Sequence, residues 1–168
     1  AIMGRVCIMA GGTGGHILPG LALASALQAH QVKVSWLGSN QGMEQTLVPK
    51  AGIPLHGISV SGLRSKGLLG WLKAPWMLAK AMVQAWHILR AHRPDCVVGL
   101  GGFASGPGGL AARLLGIPLI IHEQNSVAGL TNRCLARVAQ VVLGGFPCAL
   151  PRLRVIGNPV RTQLTDLP

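Results

Sequence analysis

The chain has 168 residues, 49% hydrophobic and 11% charged, with 24 glycines; this is one ordinary domain with a real hydrophobic core, not a disordered segment. Its 15 Lys and Arg against 4 Asp and Glu give a formal charge of +11, which favours anionic partners such as phosphorylated substrates or anionic lipid. With no Tyr and 2 Phe, the stacking platforms of single-strand nucleic-acid binders are not evident, and no nucleic-acid partner is expected.

Val6-Cys7-Ile8-Met9 reads as a first strand and enters Ala10-Gly11-Gly12-Thr13-Gly14-Gly15-His16, after which Ile17 to Ala24 has helical spacing. In strand, glycine turn and helix start, backbone N–H groups and the helix dipole face an anion. The spacing is not the dinucleotide fingerprint. Counted from Gly12, the third glycine of G-x-G-x-x-G falls at Ile17, and no Gly-Lys-Ser/Thr follows. A bare turn is the plain alternative; the imidazole of His16, placed where the loop ends, favours a site.

Val32 to Leu37 reads as the second strand, closed by Gly38, and Leu37-Gly38-Ser39-Asn40 offers no acid to hold a ribose. A nicotinamide-dependent oxidoreductase is therefore disfavoured. A short helix is expected over Met43 to Pro49, a weaker strand over Leu55 to Val60, and a basic loop over 61–67. A long helix is expected from Pro75 to His92, with Pro75 in its first turn. Asp95 to Leu100 reads as a strand entering a second glycine loop, Gly101 to Gly109. Leu110 to Leu115 and Leu130 to Val138 read as helices; Pro118 to Ile121, Val141 to Leu143 and Val155-Ile156 read as strands.

Repeated β-then-α units predict an α/β fold, a Rossmann-like parallel sheet with helices on both faces. His16, the second glycine loop, His122-Glu123-Gln124-Asn125 and Gly157-Asn158-Pro159-Val160-Arg161 each follow a strand. In an open parallel sheet those positions share one crevice. Cys7, Cys96, Cys134 and Cys148 form no C-x-x-C pair and read as buried apolar residues of a reducing cytosol. No signal peptide is visible, and the uncharged span from Val6 to Val32 is centred on the glycine turn, which argues against a transmembrane helix.

The ordered motifs Ala10 to His16, Gly62-Leu63-Arg64, Gly101 to Gly109, His122 to Asn125 and Gly157 to Arg161 resemble the N-terminal half of the MurG family of bacterial glycosyltransferases. The resemblance spans nearly the whole chain. It implies half of a GT-B fold, in which two Rossmann-like domains face each other across a cleft. The family moves N-acetylglucosamine from UDP-N-acetylglucosamine to lipid I, the undecaprenyl-diphosphate-linked muramoyl pentapeptide, giving lipid II for peptidoglycan. The transfer inverts the sugar and requires no metal or other cofactor. By the same resemblance, residues 1–161 are the acceptor- and membrane-binding domain and 162–168 begin the interdomain link. The donor-binding C-terminal domain lies outside this chain, so the chain alone is expected to be inactive. The implied location is the cytoplasmic face of the inner membrane, with peripheral attachment. Phe103 stands where the family often has Tyr, so a hydroxyl contact there is not expected.

The reaction needs an alcohol deprotonated as it attacks the anomeric carbon. His16 is the candidate base, since an imidazole can take that proton near neutral pH. Glu123 is the second catalytic candidate, as base or as the group that orients His16; binding sugar hydroxyls or making a plain salt bridge are its other readings. Thr13, Gly14, Gly15, Asn125 and Arg161 resemble donor-contacting positions. Gly101, Gly102, Ser105, Gly106 and Gly108 are expected to cradle the acceptor diphosphate through backbone N–H groups. The role of His122 is open, since it equally suits a core position. No Asp-x-Asp pair is present, so no carboxylate-held Mg²⁺ or Mn²⁺ is expected.

Membrane contact is expected at Arg64, Lys66, Trp71, Lys73 and Trp76, since Trp favours the lipid–water interface and Lys and Arg attract anionic headgroups. Lys73, Lys80, Gln84 and His87 are expected to form a polar stripe, with Leu78, Met82, Ala85 and Leu89 facing the sheet. The alternative to an enzyme half is a non-catalytic module that binds polyprenyl diphosphates or anionic membranes.

Overall fold

In a computed structural model, residues 4–12, 14–60 and 67–159 are described. The described residues form a parallel sheet of seven strands, each apolar run leading through a helix or a turn to the next. In chain order the elements are β1 (Gly4–Ala10), α1 (Gly14–Ala29), β2 (Val32–Ser39), α2 (Glu44–Lys50), β3 (Leu55–Ile58) and α3 (Gly67–His92). Then come β4 (Cys96–Gly101), α4 (Ser105–Leu114), β5 (Leu119–Glu123), α5 (Leu130–Leu135), β6 (Val141–Gly144) and β7 (Arg154–Val155). Spatial order is β3-β2-β1-β4-β5-β6-β7. The chain fills one side of β1, then crosses through α3 and fills the other. The reversal leaves a crevice beyond the carboxyl ends of β1 and β4, where ligands bind in such sheets.

Strand geometry explains why the sheet is covered on both faces. Successive side chains point to opposite sides, so Cys7 and Met9 of β1 join one core while Ile8 and Ala10 join the other. The first core lies under α3, α4 and α5 and holds Ala81, Ala85, Leu89, Ala111, Ile121 and Leu135. The second lies under α1 and α2 around Ile17, Leu21, Trp36, Val48 and Leu100. Trp36 is fully buried and its indole N–H donates to the Ala10 carbonyl at 2.9 Å. Gly20 of α1 is a glycine because a Cβ there would strike the Trp36 ring and approach Leu100 Cδ1 to 3.0 Å.

Expectations change in several places. First, the run 101–109 is not one long loop. Only 102–104 separate β4 from α4, and Ser105 to Gly109 are already helix. The glycines of α4 are packing residues: a Cβ on Gly108 would lie 2.8 Å from Leu37 Cδ2, and one on Gly109 2.7 Å from Leu135 Cδ2. A helix tolerates such glycines when close packing offsets their entropic cost. Second, α3 begins at Gly67, so Pro75 sits inside the helix rather than at its start. A proline there removes one ladder bond, and Pro75 stands on the exposed side, where water can serve the freed carbonyl.

The face of α3 also differs from the expected one. Ala74, Ala81, Ala85 and Leu89 are buried, whereas Leu78 is 45% exposed. Gln84 turns from the polar stripe to Ser59, accepting from its N–H at 2.7 Å and donating to its Oγ at 3.2 Å. α5 ends at Leu135, short of Val138, and Arg152 donates to the carbonyls of Ala136 at 3.0 Å and Ala139 at 2.8 Å in the turn beyond.

Candidate active site at the carboxyl ends of the strands

The turn after β1 is held from below by a carboxylate. Glu44, the first residue of α2, is fully buried and accepts from Gly12 N–H at 3.2 Å and Ser39 N–H at 3.4 Å. Gly11 and Gly42 leave room for it, since a Cβ on either would collide with its carboxyl oxygens. Glu44 thereby ties the β1–α1 turn to the β2–α2 turn and occupies the Gly12 N–H, which is no longer available to a phosphate. Gly14 and Gly15 open α1, and His16 follows them in its first turn.

The turn after β4 comes up against this one. Gly101 and Gly102 have φ of +119° and +91°, a region open to glycine. A Cβ on Gly101 would lie 2.7 Å from His16 Nδ1 and Cε1, and one on Gly102 would run into the Gly11 backbone. Two bare backbones thus lie against each other, and the half-buried His16 ring rests on Gly101. Beyond them Ser105 is fully buried, its hydroxyl within reach of the carbonyls of Gly101 at 2.8 Å and Met9 at 3.0 Å.

The segment after β5 completes the crevice. His16 Nδ1 lies 3.3 Å from Gln124 Oε1, and Gln124 Nε2 lies 3.0 Å from His122 Nδ1 and 2.8 Å from the His122 carbonyl. His122 Nε2 reaches the Gly157 carbonyl at 2.9 Å, and Asn158 Nδ2 donates to the Gln124 carbonyl at 3.2 Å. Glu123 points elsewhere. Its carboxylate accepts from Gly129 N–H at 2.7 Å, Asn125 N–H at 3.3 Å, and the amides of Asn125 and Asn132, both at 3.4 Å. At 2% exposure it fastens the loop 124–129 by satisfying a buried charge with several N–H donors.

The four polar clusters therefore meet: His16, the Gly101-Gly102 turn, His122 to Asn125, and Gly157-Asn158 share the head of the sheet. Within them three assignments are corrected. Glu123 is not the group that orients His16; that partner is Gln124. The Ser105 hydroxyl faces the protein's own carbonyls, not the crevice. The Gly108 N–H donates to Ala104 O at 3.1 Å and its Cα faces Met9 and Leu37, so it does not cradle a diphosphate. Gly101, Gly102 and Gly106 stay at or next to the crevice, and Asn125 is exposed beside it. Thr13, Arg64, Lys66 and Arg161 lie outside the described residues, as does the side chain of Trp71. Lys73 and Trp76 are exposed on α3, with Leu68 and Leu72 on the same side.

Sequence reasoning missed Glu44, Gln124 and Asn132. Glu44 had one available signal, as one of only 4 acids in the chain and the one opening a short helix. Among the described residues no three of His, Cys, Asp and Glu come together as a metal ligand set would. No described helix is long and apolar enough to cross a membrane.

Residues 6–143 match the model of the glycosyltransferase family 28 N-terminal domain. A UDP-N-acetylglucosamine–N-acetylmuramyl-(pentapeptide) pyrophosphoryl-undecaprenol N-acetylglucosamine transferase of Cellvibrio japonicus is 56% identical over 168 residues, covering 97% of this chain and 46% of the relative. The protein of the same name from Chromohalobacter salexigens is 58% identical over 165 residues, covering 97% of this chain and 45% of the relative. The crystal structure of Acinetobacter baumannii MurG superposes with a TM-score of 0.83 at 46% identity, over 94% of this chain and 46% of that one. A Listeria monocytogenes structure described as a UDP-N-acetylglucosamine 2-epimerase reaches a TM-score of 0.63 at 15% identity, a likeness of fold alone. The chain spans less than half the length of these transferases. With the matched family model covering most of its length, the chain belongs to glycosyltransferase family 28, as an N-terminal domain of the MurG type.

Proposed function

We propose that this domain supplies the acceptor side and the base of an inverting N-acetylglucosaminyltransferase that converts lipid I to lipid II. The observation that carries the reading is the place of His16: in the first turn of α1, at the switch point between β1 and β4, with its ring resting on Gly101. The acceptor hydroxyl attacks the anomeric carbon of UDP-N-acetylglucosamine from the face opposite the diphosphate. The new C–O bond forms as the bond to the diphosphate oxygen breaks. The hydroxyl proton passes to His16 and UDP leaves with the electron pair. Such a base contributes about 10² to 10⁴-fold.

The remaining roles follow the same geometry. The Gly101-Gly102 turn and Gly106 at the start of α4 receive the acceptor diphosphate, where backbone approaches most closely and the helix dipole favours an anion. Thr13, Gly14, Gly15, Asn125 and Arg161 meet the donor, most of which is held by the second half of the enzyme. Leu68, Leu72 and Trp76, exposed at 80%, 70% and 73%, rest on the cytoplasmic face of the inner membrane. Lys73 and Lys80 beside them, with Arg64, Lys66 and Trp71, draw the domain to anionic headgroups. Attachment is peripheral, since lysines interrupt the apolar stripe.

A binding-only module is the second reading, favoured by the same exposed stripe. The chain is tested as it stands, by sedimentation with anionic vesicles and by titration with a soluble lipid I analogue. Binding of both, with no turnover by the chain alone, is the expected result. Turnover by this half alone would overturn the division of labour, and failure to bind the analogue would overturn acceptor recognition here.

A further inference from the structure

We propose that Gln124 and His122 are positioning residues that fix the tautomer of His16, leaving its Nε2 as the bare, proton-accepting nitrogen. The inference rests on the reading of His16 as the base and supplies what that reading lacks, namely which nitrogen does the work.

A carbonyl oxygen can only accept, so His122 Nε2, 2.9 Å from the Gly157 carbonyl, carries a hydrogen and donates it. A neutral His122 then has a bare Nδ1, which accepts from the Gln124 Nε2 amide at 3.0 Å. The same amide nitrogen donates its second hydrogen to the His122 carbonyl at 2.8 Å. Turning the amide over would set Oε1 against that carbonyl, oxygen to oxygen, so the backbone of His122 fixes which way Gln124 points. Both amide hydrogens are spent, and Oε1 is what faces His16 Nδ1 at 3.3 Å. An amide oxygen only accepts, so Nδ1 of His16 bears the hydrogen and Nε2 keeps its lone pair.

Burial makes this selection effective. Gln124 is 6% exposed and His122 3%, so water is not at hand to satisfy the opposite arrangement. The relay is also tied to Gly157-Asn158. The Gly157 carbonyl orients His122, while Asn158 Nδ2 donates to the Gln124 carbonyl at 3.2 Å. The last described segment of the chain thereby sets the proton pattern at the other end of the relay, next to Gly101. A base in the wrong tautomer presents a hydrogen where a lone pair is needed, and catalysis falls steeply although every residue is in place.

Nitrogen-15 NMR of ring-labelled histidine in the 168-residue chain reads the tautomers directly. The expected pattern at a pH where the rings are neutral is Nδ1–H for His16 and Nε2–H for His122. Gln124→Leu, shown to be folded by its amide spectrum, should lose the Nδ1–H preference of His16. A hydrogen on Nε2 of His16 in the unaltered chain, or an unchanged tautomer in Gln124→Leu, would overturn the proposal. The unaltered chain decides even if the leucine variant fails to fold.

In an enzyme carrying both halves, Gln124→Leu should lower kcat by up to about 10²-fold with KM little changed. If His16 variants turn over normally while the tautomers are as stated, the base assignment falls and the positioning relay stands. If the tautomers differ while His16 proves essential, the reverse holds.

Discussion

The head of the sheet and the outer face of α3 are built on opposite rules. At the head, polar groups are buried and almost every one has a named partner: Glu44 under the first turn, Ser105 under the second, Glu123 inside the third, Gln124 and His122 between them. On α3, apolar groups are left outside: Leu68, Leu72 and Trp76 are each at least 70% exposed. Buried polar networks specify one arrangement at high cost if broken, whereas an uncovered apolar stripe specifies only a kind of surface to rest on. Substitutions at the head should therefore damage fold and geometry, and substitutions on α3 should damage attachment alone.

Gly102→Ala should have the largest effect. A left-handed backbone costs a non-glycine residue about 1–3 kcal/mol, and here the methyl also meets the Gly11 backbone, which has no rotamer to move. The measurement is chemical denaturation, with a lower midpoint expected. Glu44→Ala comes next. It strands the buried N–H of Ser39, at about 1–3 kcal/mol for a buried group left without a partner, and releases the Gly12 N–H of the first turn. Glu44→Gln, which keeps an acceptor oxygen, should lose less in the same assay.

On α3 the pattern should invert. Leu72→Ser with Trp76→Ser should leave the denaturation midpoint nearly unchanged, as surface changes do. Affinity for anionic vesicles should fall at least about tenfold, from the apolar surface removed. A large loss of stability would show that this face is packed against protein instead.

Smaller effects mark the end of the sheet remote from the crevice. Burial, and then the neighbouring His92 ring at 4.2 Å, lower the His56 pKa below its ordinary 6.5. The folded state then binds the proton less readily than the unfolded chain, so this contribution is complete above about 6.5 and is lost as pH falls beneath it. Denaturation midpoints should decline over that window, and His56→Phe should flatten the decline. Among the thiols, burial pushes Cys7 up to about 12, while Cys134 is exposed. Iodoacetamide followed by mass mapping should label Cys134 and spare Cys7 in the folded chain.

The strands were legible because their period is local. Val6 to Met9 and Pro118 to Ile121 declare a buried parallel strand without help from elsewhere. The Gly101 to Gly109 run was not, because a glycine that frees a turn and one that lets helices close together look the same in sequence. Only Met9, Leu37 and Leu135, brought in from other elements, distinguish Gly108 and Gly109 from Gly101 and Gly102. His16 and the crevice could be placed from strand ends alone. Gln124 could not. Its work depends on three partners from α1, β5 and the segment after β7, and an amide beside a carboxylate draws attention to the carboxylate. Glu123 instead serves the loop next to it, through contacts no farther along the chain than Asn132.

The most direct test of the account is the turnover of an enzyme carrying both halves with His16→Ala, measured on lipid I in vesicles and on a soluble analogue. The account predicts a fall of about 10² to 10⁴-fold on both acceptors, whereas Leu72→Ser with Trp76→Ser lowers turnover only on the vesicles. Unchanged turnover of a folded His16→Ala enzyme on the soluble acceptor would contradict it.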